Sequence, residues 1–306
     1  MRIVFMGSPE FALPSLSILI EQKHEILSVV TVPDKPAGRG LHVSSSPVKL
    51  FALEKNIPVL QPQSLRESNF VAELQRLKPE LFVVVAFRIL PPEIYKIPVF
   101  GSFNLHASLL PKYRGAAPIN WAVMKGEKET GVTTFFLQDK VDTGNIILQA
   151  RLPIGEDETA GEVHDKLADV GAEVVLHTVN LISMGRVSTK QQEDSKATSA
   201  PKIFKEMCRI DWQKSAVEVH NFIRGLSPHP TAFTSHKGKK IKIYKSKVMG
   251  DMQGTPGVVE VSSNRLYVGA GNGAVEILEL QQEGKNKLFT EEFLRGYQIE
   301  RGDLFI

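Results

Sequence analysis

Across the first half of the chain, short apolar runs alternate with longer stretches in which apolar residues recur every three or four positions. That is the pattern of parallel strands covered by crossover helices. Ile3 to Met6 predicts a first strand, and Ala12 to Glu21 a helix entered through Pro9 and Pro14. Ile26 to Val32 predicts a second strand, ended by Pro33 and Asp34. Leu81 to Ala86 is apolar throughout, as a strand buried on both faces must be. Gly101 to His106 and the Thr- and Phe-rich run Gly131 to Leu137 read as further strands, with a helix over Ala116 to Met124 between them. From 160 to 183, Val163, Leu167, Val170, Val174, Val175, Val179 and Ile182 fall at helical spacing, which predicts one long closing helix. The first domain is expected to be an open, Rossmann-like, mostly parallel α/β sheet.

The periodicity stops between Gly185 and Pro201, where Ser, Thr, Lys and Gln take over. A helix over Ser215 to Arg224 follows, and then short alternating runs: Thr231 to Ser235, Lys240 to Tyr244, Gly257 to Val261, Leu266 to Ala270 and Ala274 to Leu280. Broken by Gly, Asn and Pro, that cadence predicts a small OB-like β-barrel. The expected organisation is the α/β domain over 1–188, a linker over 189–204 and a barrel over 205–306.

With 306 residues, of which 42 % are apolar and 23 % charged, the chain can supply two globular cores and is neither disordered nor a nucleic-acid coat. The charge is unevenly placed. Residues 1–200 carry 21 Lys+Arg against 22 Asp+Glu, whereas 201–306 carry 16 against 12, so an anionic partner would be drawn to the C-terminal end. Cys208 is the only cysteine, which rules out an internal disulfide. The opening Met1-Arg2-Ile3-Val4-Phe5 reads as a strand and not as a secretion or transit signal, and no run approaches the length of a membrane span. A bacterial cytosolic protein without membrane contact is expected.

The stretch from Gly101 to Pro118 holds the most telling polar groups. In an extended chain Asn104 and His106 point to one side, because strand side chains alternate. They then sit at a strand end facing the crevice where open α/β sheets bind ligands. Taken alone, His106 reads as a hydrogen-bonded structural histidine and Asn104 as a turn former. Asp142, ahead of Thr143-Gly144, occupies a tight turn, where an Asx-turn carboxylate is the plain alternative. Jointly the three have one chemical use. Attack of an amine on a carbonyl develops an oxyanion that Asn104 and a donor-form His106 can hold, while the carboxylate orients the imidazole and takes a proton from the attacking nitrogen.

Other motifs are weaker. Ser46-Pro-Val-Lys49 matches a Ser-x-x-Lys pattern without its usual companions, and no Gly-x-Ser-x-Gly elbow or phosphate-binding loop occurs. The first turn, Gly7-Ser-Pro-Glu-Phe11, departs from a dinucleotide fingerprint, and the histidines lack metal-ligand spacing, so no metal is expected. Arg301-Gly-Asp303 reads as a turn. Lys237, Lys239, Lys240, Lys242, Lys245 and Lys247 crowd eleven residues. In a strand, Lys240, Lys242 and Tyr244 share one face and Ile241 and Ile243 the other, giving a basic outer stripe that is either a solvated face or a nucleic-acid contact.

At these residues the chain resembles the methionyl-tRNA formyltransferases, within the wider 10-formyltetrahydrofolate-dependent formyltransferase family. The carriers are Met6-Gly-Ser-Pro-Glu-Phe11, Pro33-Asp-Lys-Pro-Ala-Gly-Arg-Gly40, Asn104-Leu-His-Ala-Ser-Leu-Leu-Pro111, Arg114-Gly-Ala-Ala-Pro-Ile119, Gly131-Val-Thr-Thr134 and Asp142-Thr-Gly144. The resemblance spans nearly the whole length. It implies that Asn104, His106 and Asp142 form the catalytic trio, and that 10-formyltetrahydrofolate is the co-substrate. Phe87, Arg88, Ile89, Leu90, Ser108, Leu109, Leu110, Pro111 and Asp139 are the implied folate contacts. Phe87-Arg88 stands where many members carry Tyr-Gly, which puts the local backbone and pterin contacts in question.

The resemblance also implies initiator methionyl-tRNA as the partner of a monomeric enzyme. Lys35, Arg39, His42 and Lys49, on or beside the loop from Asp34 to Lys49, are the implied tRNA contacts together with Arg114, Lys237, Lys240 and Lys242. The expected reaction is direct formyl transfer to the methionyl α-amine, for translation initiation, with no covalent enzyme intermediate, because no activated Ser or Cys nucleophile is apparent. Formyl transfer to an amino-sugar or small nucleotide, a folate hydrolase, and a non-catalytic folate- or RNA-binding protein are the rival readings.

Overall fold

The computed structural model describes residues 1–37 and 42–306, with the side chains at 36, 37, 42 and 43 outside that description. Two compact units emerge. The first comprises Met1–Gly115, Gly131–Leu152 and His164–Ser199, and the second Ala116–Thr130, Pro153–Val163 and Ala200–Ile306.

The first unit begins with β1 (Arg2–Gly7), α1 (Leu13–Glu21) and β2 (Glu25–Val30), followed by the small hairpin of β3 (Lys35–Ala37) and β4 (His42–Ser44). Next come α2 (Pro47–Glu54), β5 (Val59–Leu60), α3 (Ser68–Leu77), β6 (Leu81–Val85), α4 (Pro92–Tyr95) and β7 (Ser102–His106). The chain passes through α5 (Pro118–Met124), which belongs to the second unit, and continues with β8 (Glu129–Phe136), β9 (Ile146–Pro153) and α6 (Ala160–Ser183). Seven strands form one sheet in the order β5-β2-β1-β6-β7-β8-β9, parallel from β5 to β7 and antiparallel between β7 and β8. Because β6 is covered on both faces, all five of its residues are buried. Leu167, Val175 and Val179 on α6 are fully buried, and Thr178 on the same helix hydrogen-bonds Thr134 of β8 at 2.8 Å. The helix predicted over 160–183 is found at those limits.

The second unit holds α7 (Ala216–Leu226), β10 (Ala232–His236), β11 (Lys239–Met249), β12 (Val259–Ser262), β13 (Arg265–Gly269), β14 (Ala274–Gln282), β15 (Leu288–Phe289) and α8 (Thr290–Gly296). Ser215 caps α7 with a reciprocal box. Glu218 N donates to Ser215 Oγ at 3.3 Å, and Ser215 N donates to Glu218 Oε2 at 3.0 Å. The antiparallel order is β10-β11-β14-β13-β12, with β15 on β14. The chain end closes this sheet into a barrel. Phe305 N donates to Gly257 O at 2.8 Å and Val259 N to Asp303 O at 2.8 Å on the β12 side, while Ser235 and Ile306 exchange backbone bonds at 2.8 and 2.9 Å on the β10 side.

Along β11, Ile241 and Ile243 are fully buried and Lys240, Lys242 and Tyr244 turn outward, as the alternation predicts. Strict alternation would then send Lys245 and Lys247 inward. A β-bulge in the pairing with β14, between Ile243 and Ser246, resets the phase: Ser246 is buried and both lysines are exposed. The basic stripe therefore continues along one outer face. Among the described residues, no helix is long and apolar enough to cross a membrane.

Candidate active site

In the first unit the chain leaves β1 for β2 on one side, and β6 lies on the other. The crevice beyond the carboxyl ends of β1, β6 and β7 is thus the topological switch point of the sheet. Gly7 closes β1 there because a Cβ at that position would sit 2.9 Å from the Ala12 Cβ and 3.0 Å from the Val85 carbonyl. Asn104 and His106 occupy the end of β7, two residues apart on one face, about 7 Å from Cα to Cα for a strand. Asn104 is half-buried, and its carboxamide makes no hydrogen bond among the described residues.

His106 is nearly closed to solvent, and its Nε2 lies 2.9 Å from the Tyr113 carbonyl oxygen. A carbonyl only accepts, so Nε2 carries the hydrogen and Nδ1 is the nitrogen left to face the site. Asp142 Oδ2 stands 3.9 Å from that Nδ1, within ion-pair range of a protonated ring but beyond a hydrogen bond. The same carboxylate oxygen accepts the Gly115 N–H at 2.9 Å. Tyr113 and Gly115 belong to one turn, so a single loop orients both the imidazole and the acid.

The turn carrying Asp142 is tightly determined. Asp142 adopts the left-handed conformation at φ 55°, and Gly144 is required beside it, since a Cβ there would fall 1.7 Å from the Phe136 carbonyl oxygen. Thr143 Oγ1 donates to Lys140 O at 3.0 Å. Gln192 Nε2 donates to the carbonyls of Asp142 and Gly144 at 2.9 and 2.8 Å.

Of the residues implied for folate, Ser108 to Pro111 form a braced loop. Ser108 Oγ donates to Lys112 O at 2.7 Å, and Thr133 Oγ1 donates to Ser108 O at 2.6 Å while accepting Leu110 N at 3.1 Å. Gln149 Nε2 adds a bond to Leu110 O at 3.0 Å, and Leu110 packs with Phe135 and Ile146. Leu109 and Pro111 are half-buried. Ile89 is 73 % exposed, whereas Leu90 is buried in the core with Phe87 packed against it. Arg88 donates to the Pro62 and Gln63 carbonyls at 2.9 and 3.1 Å and stacks over Phe87, and burial lowers its pKa. Arg88 thus clamps the 62–63 segment. Asp139 accepts the Tyr95 hydroxyl at 2.5 Å, which pushes the phenol up to about 12.

The residues implied for tRNA are dispersed. Lys35 is exposed on β3, while Arg39 and the side chain of His42 lie outside the described residues. Lys49 pairs with Asp34, which also accepts Gln61 Nε2 at 2.9 Å, and these bonds, Lys49 first, hold the Asp34 carboxyl below the usual carboxylate range. Arg114 is engaged by Gln192 and Asp194. Lys237 donates to Asp303 at 2.9 Å, and Lys240 Nζ sits 3.9 Å from the Phe233 ring centre. Among the described residues no His, Cys, Asp and Glu cluster has a metal-holding arrangement.

Sequence patterning missed Tyr113, Thr133, Gln149 and Gln192. Thr133 lies inside the motif Gly131 to Thr134, so its signal was present. Gln192 follows another glutamine in an aperiodic stretch, and nothing local distinguishes the two.

The chain joins an open α/β sheet, with Asn104, His106 and Asp142 near its crevice, to an antiparallel barrel, and this pairing of units belongs to the formyl transferase class. Residues 1–179 match the family described as Formyl transferase, and residues 202–298 match Formyl transferase, C-terminal domain. The methionyl-tRNA formyltransferase of Caldanaerobacter subterraneus subsp. tengcongensis is 49 % identical over 99 % of both chains, and that of Alkaliphilus oremlandii 46 % identical over the same shares. Among solved structures, an N-formyltransferase from Helicobacter canadensis in complex with folinic acid and dTDP-3-aminofucose shares the fold, with a TM-score of 0.69 and 22 % identity over 92 % of this chain and 99 % of that one. The chain belongs to the methionyl-tRNA formyltransferases of the formyl transferase family.

Proposed function

We propose that this chain transfers a formyl group from 10-formyltetrahydrofolate to the α-amino group of methionyl-initiator tRNA, for translation initiation. The observation that carries the reading is the approach of His106 Nδ1 and Asp142 Oδ2 to 3.9 Å at the crevice that Asn104 shares. Full-length relatives named methionyl-tRNA formyltransferase support the acceptor.

The residues present suit a formyl-folate. Asn104 offers a carboxamide with no hydrogen bond among the described residues, and Ile89 an exposed apolar side chain past the end of β6. Phe87 to Leu90, Ser108 to Pro111 and Asp139 are the proposed folate border. Once bound, the folate supplies an electrophilic formyl carbon. As the amine attacks, the Asn104 N–H and, when protonated, the His106 Nδ1–H stabilise the charge growing on the formyl oxygen. Asp142 takes the proton leaving the amine as the new N–C bond forms, and returns it to the folate nitrogen as the bond from that nitrogen to the formyl carbon breaks, so the acid ends ionised as it began. Tyr113 and Gly115 hold the imidazole and the acid in register during these changes.

The basic face of the barrel, with Lys240 and Lys242, and the β3–β4 hairpin with Lys35 are the proposed tRNA contacts, in a monomer acting in the bacterial cytosol. Arg39, His42, Lys49, Arg114 and Lys237 remain part of that proposal, and domains over 1–188 and 205–306 would divide catalysis from tRNA holding.

The test is formyl incorporation from 10-formyltetrahydrofolate into charged initiator tRNA, with a nucleotide-linked amino-sugar as a parallel acceptor. The reading predicts turnover on the tRNA alone. Asp142→Asn and His106→Ala should each lower it by about 100- to 10,000-fold with tRNA affinity nearly unchanged. Near-parental turnover in either variant would refute the assigned roles.

A further inference from the structure

Residues 190–198, expected as part of a linker, belong to the first unit and run as a strap from Ile146 past the Asp142 turn to Arg114. Lys190 and Ile146 exchange backbone bonds at 2.8 and 2.9 Å. At the far end Thr198 accepts Arg114 N on its carbonyl and Tyr113 N on its hydroxyl, both at 2.8 Å. Between them lies Gln192, 7 % exposed, whose side chain is fully committed. Its amide nitrogen donates to Asp142 O and Gly144 O, and its oxygen accepts Arg114 Nε at 3.1 Å and Nη2 at 2.8 Å. A guanidinium only donates and carbonyls only accept, so one orientation of the amide satisfies every partner.

We propose that Gln192 is a positioning residue for the transfer reaction, holding the Asp142–Gly144 turn so that the carboxylate stays on the Gly115 N–H and opposite His106 Nδ1. The inference rests on the reading of Asp142 as proton acceptor. A non-glycine residue in the left-handed region persists only where its surroundings over-determine it, and Gln192 supplies two of the bonds that do so. None of its hydrogen bonds reaches Asn104 or His106, so it acts through Asp142. Arg114 in turn holds Gln192, with Asp194 as its outer partner at 2.8 Å.

The experiment compares Gln192→Leu, which loses every bond, with Gln192→Glu, which keeps the acceptor for Arg114 but not the two donors. Rates are divided by the folded fraction measured by circular dichroism. The proposal expects kcat on charged tRNA to fall about 10- to 100-fold in both, with KM for tRNA and for 10-formyltetrahydrofolate within about twofold of parent. In single turnovers on an Asp142→Asn background, the further effect of Gln192→Leu should shrink to less than about twofold, since the positioned group is gone. Three outcomes overturn it: kcat within threefold of parent, an undiminished effect on the Asp142→Asn background, or failure of both variants to fold, which would assign Gln192 to the fold alone. Near-parental turnover in Asp142→Asn itself would instead remove the reading beneath, whatever Gln192 does.

Discussion

His106 presents its Nε2–H to the Tyr113 carbonyl over 2.9 Å, so the ring is anchored to the loop that follows its own strand before any substrate arrives. This anchoring fixes the tautomer of the neutral ring. It leaves Nδ1 as the one ring nitrogen available to the reaction, and that nitrogen becomes a donor only when a second proton is present. Asp142 Oδ2, 3.9 Å away, is the carboxylate oxygen that faces it. The imidazole and the acid therefore act as a coupled pair, while Asn104 is an independent donor with no hydrogen-bonded partner among the described residues.

That independence makes Asn104 the cleanest variant. Asn104→Ala should lower kcat by about 100- to 1,000-fold, the usual loss for one oxyanion donor, and should leave the melting temperature within a degree or two. Asn104→Asp keeps the shape but offers acceptors only, and should be no better. Steady-state kinetics beside a thermal melt checks this, and a large drop in melting temperature would instead give Asn104 a structural role.

Much of this was legible in the sequence because the patterns were local. The apolar run of β6, the helical spacing of α6 and the shared face of Asn104 and His106 each follow from periodicity alone. What was not legible was long-range. Gln192 meets Asp142 across fifty residues of chain, and its stretch has no period to read. The bulge at 244 and 245 was likewise invisible, since nothing in Tyr244-Lys245 announces an extra residue opposite β14. The hairpin β3–β4 and the short β5 lack the length that would mark them as strands.

The bulge has a measurable consequence for RNA. It keeps Lys245 and Lys247 on the outer face with Lys240 and Lys242, so neutralising members of this stripe removes phosphate contacts and spares the chemistry. Lys240→Gln with Lys242→Gln should weaken tRNA binding. The slope of log affinity against log salt should fall by about two, roughly one per contact, with kcat at saturating tRNA unchanged. Filter binding between low and moderate salt reads this directly, and an unaltered slope would return the stripe to a solvated face.

Gly144 tests the turn from the backbone side. An added Cβ would lie 1.7 Å from the Phe136 carbonyl, a main-chain atom that cannot rotate away. Gly144→Ala should therefore shift the Asp142 turn, cost more than about 2 kcal/mol of stability and reduce kcat sharply. A denaturant melt and an activity assay on the same sample check both effects. Parental behaviour in both would show that the turn has slack.

The barrel seam carries a separate, pH-dependent prediction. Asp303 accepts Glu300 N at 2.9 Å, Lys237 Nζ at 2.9 Å and His236 Nε2 at 3.0 Å, and these bonds, the Glu300 N–H first, hold its carboxyl down to about 2. An unfolded aspartate titrates near 4. Since the folded value is the lower one, the unfolded chain binds the proton more readily. The stabilisation is complete above about pH 4 and is lost as pH falls from there toward 2. Trp212 reports on this region, because it packs against Phe305 and donates to Thr234, whose hydroxyl in turn donates to the Ile306 carbonyl. Followed by tryptophan fluorescence, to which Trp121 and Trp212 both contribute, Asp303→Asn should melt several degrees below parent at pH 7 and the gap should close by about pH 2. A gap that stays constant across that range would mean the ionised carboxylate contributes nothing to closing the barrel, and the seam would then rest on the backbone bonds of 302–306, the Thr234 hydroxyl on Ile306 and the packing of Phe305.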